Sequence, residues 1–380
     1  MRHSRRTFLK LAGGGVAAGA VAAVAGLSGK APADDAHEAM FYRKLDGRRV
    51  QCLLCPRACE VPEGGRGFCR VRENRAGVYR TLVYNKVCTA NVDPIEKKPL
   101  FHYLPATTAL SIATAGCNIA CKFCQNWNIS QVRPEDIEHE PTTPAKLVRS
   151  ARDAGAQSIA FTYSEPTVFY EMMHDTAAEF RRSGLGAVTI SNGYIQADPL
   201  RELAKSLTAY KVDLKAFTEE FYRTVTSGSL KPVKDTLVLA KSLGLWLEIV
   251  VLVIPTLNDK AEDVKAMTAW IRKELGPDVP VHFTRFHPTY QMKNLPPTPV
   301  KTLERCRQLG LDAGLNFVYL GNVPGHEGES TYCPGCQTTL IKRYGFQIEK
   351  NHLKNGTCPK CARAIPGVWS LAQGTSRPAI

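Results

Sequence analysis

Cys117, Cys121 and Cys124 lie four and then three residues apart in the run Gly116-Cys117-Asn118-Ile119-Ala120-Cys121-Lys122-Phe123-Cys124-Gln125-Asn126-Trp127. Three thiolates at that spacing can hold three corners of a cubane iron–sulfur cluster, whereas a plain electron carrier takes a fourth. The next cysteine along the chain is Cys306. The local sequence therefore leaves one iron open to a small molecule, as catalytic metal sites do. A zinc loop or a redox-sensing cysteine cluster is the competing reading of the same three residues.

Two other cysteine sets have four members each. Cys52, Cys55, Cys59 and Cys69 fall close together, with Pro56, Gly64, Gly65 and Gly67 supplying turns between them. Four thiolates there suit zinc or a second iron–sulfur cluster, and spacing does not choose between them. Free cysteines or disulfides are the plainer alternative. Cys333-Pro-Gly-Cys336 and Cys358-Pro-Lys-Cys361 form two knuckles that read as a zinc ribbon. A structural zinc is expected there, with iron–sulfur as the alternative.

The elements that must position these residues alternate between strand and helix patterns from about Leu110 to Val323. Strands are expected at Leu110–Ala115, Ser158–Tyr163, Ala187–Ser191, Lys211–Leu214, Leu247–Ile254, His282–Phe286 and Asn316–Leu320. Helices are expected at Pro144–Ala154, Thr167–Ser183, Pro199–Leu207, Val233–Leu243, Ala261–Leu275 and Val300–Ala313. The fold class is α/β, a partial (β/α)6-type TIM-like barrel with an N-terminal cysteine module and a C-terminal zinc-ribbon-like module. The expected division is a leader at 1–33, the four-cysteine module at 46–105, the barrel at 106–325 and the metal-binding module at 326–380.

Functional residues of such a barrel sit at the carboxyl ends of its strands. Candidates there are Glu165 after the second strand, Asn192 in Ser191-Asn192-Gly193 after the third, and Asp213 with Lys215 at the end of the fourth. Asp213 and Lys215 share one face by the i, i+2 alternation of a strand. Glu165 also reads as a helix cap, Asn192 as an ordinary strand-end turn, and Asp213–Lys215 as a surface salt bridge. His282 and Thr284 alternate inward on the sixth strand, with Arg285 and His287 at the rim.

At 380 residues, 44% hydrophobic and 22% charged, the composition is that of an ordinary soluble globular protein. The net charge of +14 is spread along the chain without a nucleic-acid motif, so no nucleic-acid partner is expected. Eleven of the thirteen cysteines fall in metal-ligand clusters, which argues against a disulfide scaffold. Ser4-Arg5-Arg6-Thr7-Phe8-Leu9-Lys10, an apolar Gly/Ala-rich stretch and Ala31-Pro32-Ala33 read as a twin-arginine signal peptide. This implies export to the periplasm or cell envelope with no permanent membrane span, cytoplasmic activity being left open.

The cysteine loop and its setting resemble the radical S-adenosylmethionine (SAM) enzymes. The match extends to Asn91-Val92-Asp93-Pro94-Ile95-Glu96-Lys97-Lys98-Pro99-Leu100, Tyr163-Ser164-Glu165-Pro166, Pro255-Thr256-Leu257-Asn258-Asp259 and the terminal cysteine pairs. Together these are similar to the AmmeMemoRadiSam-system radical SAM enzymes, relatives of the pyruvate formate-lyase activating enzymes. The resemblance implies a [4Fe-4S] cluster on Cys117, Cys121 and Cys124 with SAM on its open iron. Reductive cleavage of SAM would then give a 5′-deoxyadenosyl radical for hydrogen abstraction, from a protein substrate or a small metabolite; a non-catalytic iron–sulfur or zinc protein is the rival. It implies SAM contacts from Phe123, Glu165, Asn192, Asp213 and Lys215, with Glu165 accepting from the SAM ammonium and Trp127 shielding the site. Here Ser164-Glu165-Pro166 stands where the family carries a glycine-rich turn. The implied partners are a flavodoxin- or ferredoxin-like low-potential electron donor and proteins of the Memo and AMMECR types.

Overall fold

The computed structural model describes residues 36–371, and the leader expected at 1–33 lies outside the described residues. Eight strands form the main sheet: β1 (Thr89–Pro94), β2 (Thr108–Ala113), β3 (Ser158–Phe161), β4 (Gly186–Ser191), β5 (Ala209–Asp213), β6 (Trp246–Val253), β7 (Val281–Arg285) and β8 (Val318–Gly321). They are hydrogen-bonded in chain order, and β1 and β8 are its two free edges. β1 runs antiparallel to β2, and every other neighbouring pair is parallel.

Parallel neighbours cannot be joined by a tight turn, so each step needs a crossover. Six helices supply it, one between each successive pair from β2 to β8. They are α1 (Pro144–Asp153), α2 (Tyr170–Arg182), α3 (Ala197–Leu203), α4 (Leu230–Ser242), α5 (Ala261–Glu274) and α6 (Val300–Asp312). Local chemistry sets their starts: Thr143 caps α1 by accepting from the Lys146 amide at 3.3 Å, and Pro144 fills the first turn. The seven strands expected from sequence match β2–β8 to within two residues at each end. β1 was not anticipated. It is hydrogen-bonded to β2 from Thr89 to Pro94.

The two faces of the sheet are packed differently. Leu110, Ile112, Ile159, Phe161, Tyr210, Val212, Leu247 and Ile249 pack in the large core on the helix side. On the opposite face, cross-strand register aligns Ser111, Ala160, Val188, Ala209 and Trp246 in one row. The small side chains of Ser111, Ala160 and Ala209 leave depth that Ile95, Leu100, Tyr103, Leu104 and Val368 fill, with Trp246 packed beside them. A Cβ on Gly186 would lie 2.0 Å from the Tyr103 hydroxyl, so only glycine admits that ring. Each large apolar side chain buried here contributes roughly 1.5–3 kcal/mol, enough to keep this end shut. Polar side chains collect further along the strands.

A buried carboxylate ties this plug to the sheet. Glu248 accepts from the Phe101 and His102 amides at 2.9 and 2.8 Å and from Trp246 Nε1 at 3.0 Å. It also pairs with His282 at 2.7 Å. His282, read from sequence as an inward-facing candidate, is thus engaged in holding the plug, and Arg285 donates to the Thr298 carbonyl at 2.8 Å.

The four N-terminal cysteines lie around a small sheet of Tyr42–Lys44, Val50–Cys52 and Glu60–Val61 and a hairpin of Arg72–Arg75 and Val78–Thr81. The C-terminal cysteines flank a three-stranded antiparallel sheet of Thr331–Tyr332, Thr339–Tyr344 and Gln347–Asn351. No helix among the described residues is long and apolar enough to cross a membrane.

Candidate active site

The loop carrying Cys117, Cys121 and Cys124 leaves the carboxyl end of β2. Its conformation begins at Gly116, whose φ of +101° suits glycine. A Cβ there would also meet Val71 at 2.6 Å and the Cys69 carbonyl at 2.9 Å. Beyond it the chain forms little secondary structure of its own and is held from outside. The Ala120 and Lys122 amides donate to the carbonyls of Thr226 and Val225 at 2.8 and 3.0 Å. Arg57 donates to the carbonyls of Asn118 and Ser227. Asn118 Nδ2 reaches the Tyr194 carbonyl at 2.7 Å. The segments after β4 and β5 thereby fix where the thiols stand. Cys121 and Phe123 are buried, and Cys124 Sγ lies 3.2 Å from the Ser130 hydroxyl.

Glu165 is buried at the end of the β3 loop and acts as a hub. One carboxylate oxygen accepts from the Thr167 amide, the Thr167 hydroxyl and the Ser191 hydroxyl at 3.0, 2.7 and 2.7 Å. The other accepts from the Asn192 amide at 2.9 Å. It therefore caps the helical turn Pro166–Phe169 and also locks the end of β4. Burial raises its pKa against these hydrogen bonds. Asn192 in turn donates to Asn118 Oδ1 at 2.9 Å and lies 3.8 Å from Cys117 Sγ.

Asp213 and Lys215 meet as the alternation required, with Lys215 Nζ 3.6 Å from the carboxylate. Lys211, two residues earlier on the same face and missed in the sequence reading, pairs with the other carboxylate oxygen. Burial pulls the Lys215 ammonium down, but Asp213, Cys121 and Cys117 more than reverse it and leave its pKa raised. Burial also opposes ionisation of Asp213, and the two lysines win, holding it below the usual carboxylate range. Lys215 Nζ sits 5.6 Å from the centre of the Phe123 ring, which brings the cation beside the cysteine loop.

A second buried cluster faces the same side of the sheet from β1. Asp93 accepts from Lys97 and Lys98 at 2.8 and 2.7 Å and from the Tyr163 hydroxyl. Lys98 continues to the Ser111 hydroxyl at 2.5 Å. Burial lowers Lys98 to about 8 in spite of Asp93. Tyr163 is held at a φ of +66°, with its carbonyl accepting from Asn126 Nδ2 at 2.9 Å. The Asp93-Pro-Ile-Glu-Lys-Lys98 run was visible as a motif, but nothing local indicated that it folds over Tyr163.

The profile of the radical SAM superfamily matches residues 111–268, from β2 into α5. Residues 111–268 form a radical SAM superfamily domain. An uncharacterized protein of Methanocaldococcus jannaschii is 47% identical over 330 residues, 86% of this chain and 98% of the relative. A second uncharacterized protein of that organism is 25% identical over 284 residues, 70% of this chain and 76% of the relative. The pyruvate formate-lyase-activating enzyme of Clostridium pasteurianum is 22% identical over 162 residues, 41% of this chain and 66% of that enzyme. Among solved structures, a radical SAM methyltransferase from Sphaerobacter thermophilus aligns with a TM-score of 0.46 at 16% identity, over 60% of this chain and 71% of that one.

A radical SAM domain implies a [4Fe-4S] cluster and SAM, and the donor set fits such a cluster. Ligands of one tetrahedral ion at 2.3 Å bonds stand roughly 3.8 Å apart, whereas each thiolate of a cubane binds a different iron. Among the described residues, only Cys333, Cys336, Cys358 and Cys361 bring three or more ligand atoms all within 4.8 Å of one another. The sulfurs of Cys117, Cys121 and Cys124 do not all come within that distance of one another. In the C-terminal set, Cys333 and Cys361 sulfurs are 3.5 Å apart and Cys336 and Cys358 3.6 Å, close to the spacing of a single ion. Hydrogen bonds with Thr338 pull Cys336 down to about 6, which favours the thiolate a metal binds. Trp127 departs from expectation: it is 45% exposed and stacks on Tyr290 instead of sealing the loop.

Proposed function

We propose that this protein cleaves SAM reductively at a [4Fe-4S] cluster on Cys117, Cys121 and Cys124 and uses the 5′-deoxyadenosyl radical to take hydrogen from a protein substrate. The observation that carries the reading is the junction of the three-cysteine loop with the ends of β4 and β5, where Asn192 and Lys215 flank thiols whose sulfurs do not all come within 4.8 Å of one another. When bound, the cluster supplies the electron that breaks the sulfonium bond, and SAM supplies the radical.

The protein's own residues supply position and charge. Lys215, kept cationic by Asp213, is the group to meet the SAM carboxylate. Asn192 is oriented by its bonds to Asn118 and to the Tyr194 amide, so its amide is fixed beside Cys117. Glu165 has one oxygen with a single donor, which leaves an acceptor position for the SAM ammonium. Phe123, buried beneath Lys215, excludes water from the loop.

The extended likeness of the Asp93–Pro99 run, the Tyr163–Pro166 turn and the terminal cysteine pairs supports placement in the AmmeMemoRadiSam system. Its partners are then Memo- and AMMECR-type proteins and a flavodoxin- or ferredoxin-like donor, with twin-arginine export preceding work in the cell envelope. Anaerobic reconstitution followed by dithionite and SAM tests the chemistry, and 5′-deoxyadenosine is the expected product. Deuterium carried from a labelled candidate protein into that product supports the substrate class, and transfer only from small molecules overturns it.

A further inference from the structure

The N-terminal cysteines fit neither of the simpler patterns. Cys52, Cys55, Cys59 and Cys69 all line one small pocket, together with Arg72 and Tyr79. They number four, as a single zinc would take, yet no three of their sulfurs come within 4.8 Å of one another. In the same chain the C-terminal set does close to single-ion spacing, so the contrast is internal to this protein. Cys52 and Cys55 are buried and unpaired, and no disulfide forms among the four. A larger polynuclear group fits four thiolates that surround a cavity without touching.

Independent evidence comes from two other side chains of the cavity wall. The Tyr79 hydroxyl and Arg72 Nε are buried without a hydrogen-bond partner, in residues only 0% and 1% exposed. Orphaned buried groups cost about 1–3 kcal/mol each, so their presence together in one cavity points to an absent acceptor. Inorganic sulfide and cysteinyl sulfur are such acceptors. Arg72 already reaches Cys52 Sγ at 3.5 Å with its terminal nitrogen. Gly67 keeps the space clear, since a Cβ there would lie 2.7 Å from the Tyr79 hydroxyl and 3.8 Å from Cys59 Sγ.

The cavity also abuts the radical SAM loop. Asn118, the residue after Cys117, forms part of its wall. Gly116 approaches the Cys69 carbonyl so closely that no side chain fits between them. The two cysteine loops are in direct contact.

We propose that Cys52, Cys55, Cys59 and Cys69 hold a second [4Fe-4S] cluster, closed by four thiolates, that passes single electrons to the cluster on Cys117, Cys121 and Cys124. The step moves one electron and no atoms: the four-thiolate cluster is oxidised by one electron as its neighbour is reduced by one. A low-potential one-electron donor protein then re-reduces it. The electron-transfer half rests on the proposed SAM chemistry, whereas the existence of the second cluster does not.

The test starts from the full chain with Cys117, Cys121 and Cys124 all changed to Ala, reconstituted anaerobically with iron and sulfide. About four irons and four sulfides per chain should remain, with the electron paramagnetic resonance signal of a reduced cubane after dithionite. Zinc without iron in that variant overturns the proposal. Should the variant aggregate, the wild type decides: about eight irons per chain, with SAM altering only part of the reduced signal, supports two clusters. About four irons, all responding to SAM, refutes the second one. A Cys55→Ser variant separates the two claims. It should lose the SAM-insensitive signal and keep the SAM-responsive one. Reduction of that remaining cluster by reduced flavodoxin should slow by roughly tenfold or more, with cleavage driven by dithionite retained. An unchanged flavodoxin rate would remove the electron-transfer role. Failure of SAM cleavage in a wild type holding both clusters would remove the proposed activity but leave the second cluster standing.

Discussion

Cys333, Cys336, Cys358 and Cys361 converge until their sulfurs all lie within 4.8 Å of one another, while Cys117, Cys121 and Cys124 keep theirs apart. The first set sits on two tight turns beside its own small antiparallel sheet, and its geometry is local. The second sits on a loop whose amides and side chains are held by segments following β3, β4 and β5. A self-contained set can bind one ion and staple one module. A set held from several directions can keep thiolates spread around a larger group and leave a position open for a reactant. The same residue type thus serves two purposes because its scaffolding differs.

The largest effect should come from breaking the loop. Changing Cys117, Cys121 or Cys124 to Ala is expected to abolish 5′-deoxyadenosine formation, measured chromatographically after dithionite reduction. Detectable product from any of the three would undo the contrast between the sets. Cys358→Ser should release the C-terminal ion and loosen that module, read as lost metal and increased proteolysis near residue 358. SAM cleavage should survive in this variant, and its complete loss with an intact first cluster would show that the module is not merely a staple.

Asp213→Asn comes next. It leaves the buried Lys211 and the partly buried Lys215 without their shared carboxylate, at a cost of about 1–3 kcal/mol. Denaturant unfolding should show that loss, and the KM for SAM should rise as Lys215 loses its position. An unchanged KM would separate Lys215 from SAM. Gly116→Ala should cost about 1–3 kcal/mol through its left-handed backbone, with further strain against Val71 and Cys69. Iron content should fall in the sulfur sets on both sides of this contact, while C-terminal metal content stays constant.

The smallest effect concerns acid. Burial resists ionisation of Asp93, but hydrogen bonds from Lys97, Lys98 and Tyr163 hold its carboxyl well below the usual range. Its contribution is therefore present above about pH 4, the ordinary carboxylate value, and is lost as pH falls below it. Asp93→Asn should flatten the acid limb of the stability profile, and an unaltered limb would show that the cluster contributes nothing to acid stability.

Much of this was legible in residue order. The apolar runs of β2–β8 are buried on both faces, so they stand out as strands between amphipathic helices. β1 did not stand out because its residues from Thr89 to Val92 are exposed or half-buried, and the run ends in a proline. Lys211 lay within reach of sequence reasoning, since the alternation that paired Asp213 with Lys215 extends one step back. Asp93 and Lys98 did not, because their meeting with Tyr163 spans about seventy residues and depends on β1 lying along β2. Trp127 was misjudged for a related reason: a large apolar ring next to a reactive loop suggests a shield, but its stacking partner Tyr290 comes from another part of the chain.

By itself the sequence determined that eleven of the thirteen cysteines fall into clusters, that one cluster has three members and two have four, and that a parallel α/β sheet carries the first. Those are consequences of spacing and periodicity, which are local properties. Only the tertiary structure decided which four thiols close to the spacing of one ion and which four surround a cavity with an orphaned tyrosine and arginine. It also brought Gly116 against Cys69. Ligand number is written in the chain, but the distance between sulfurs is set by packing among elements far apart in it.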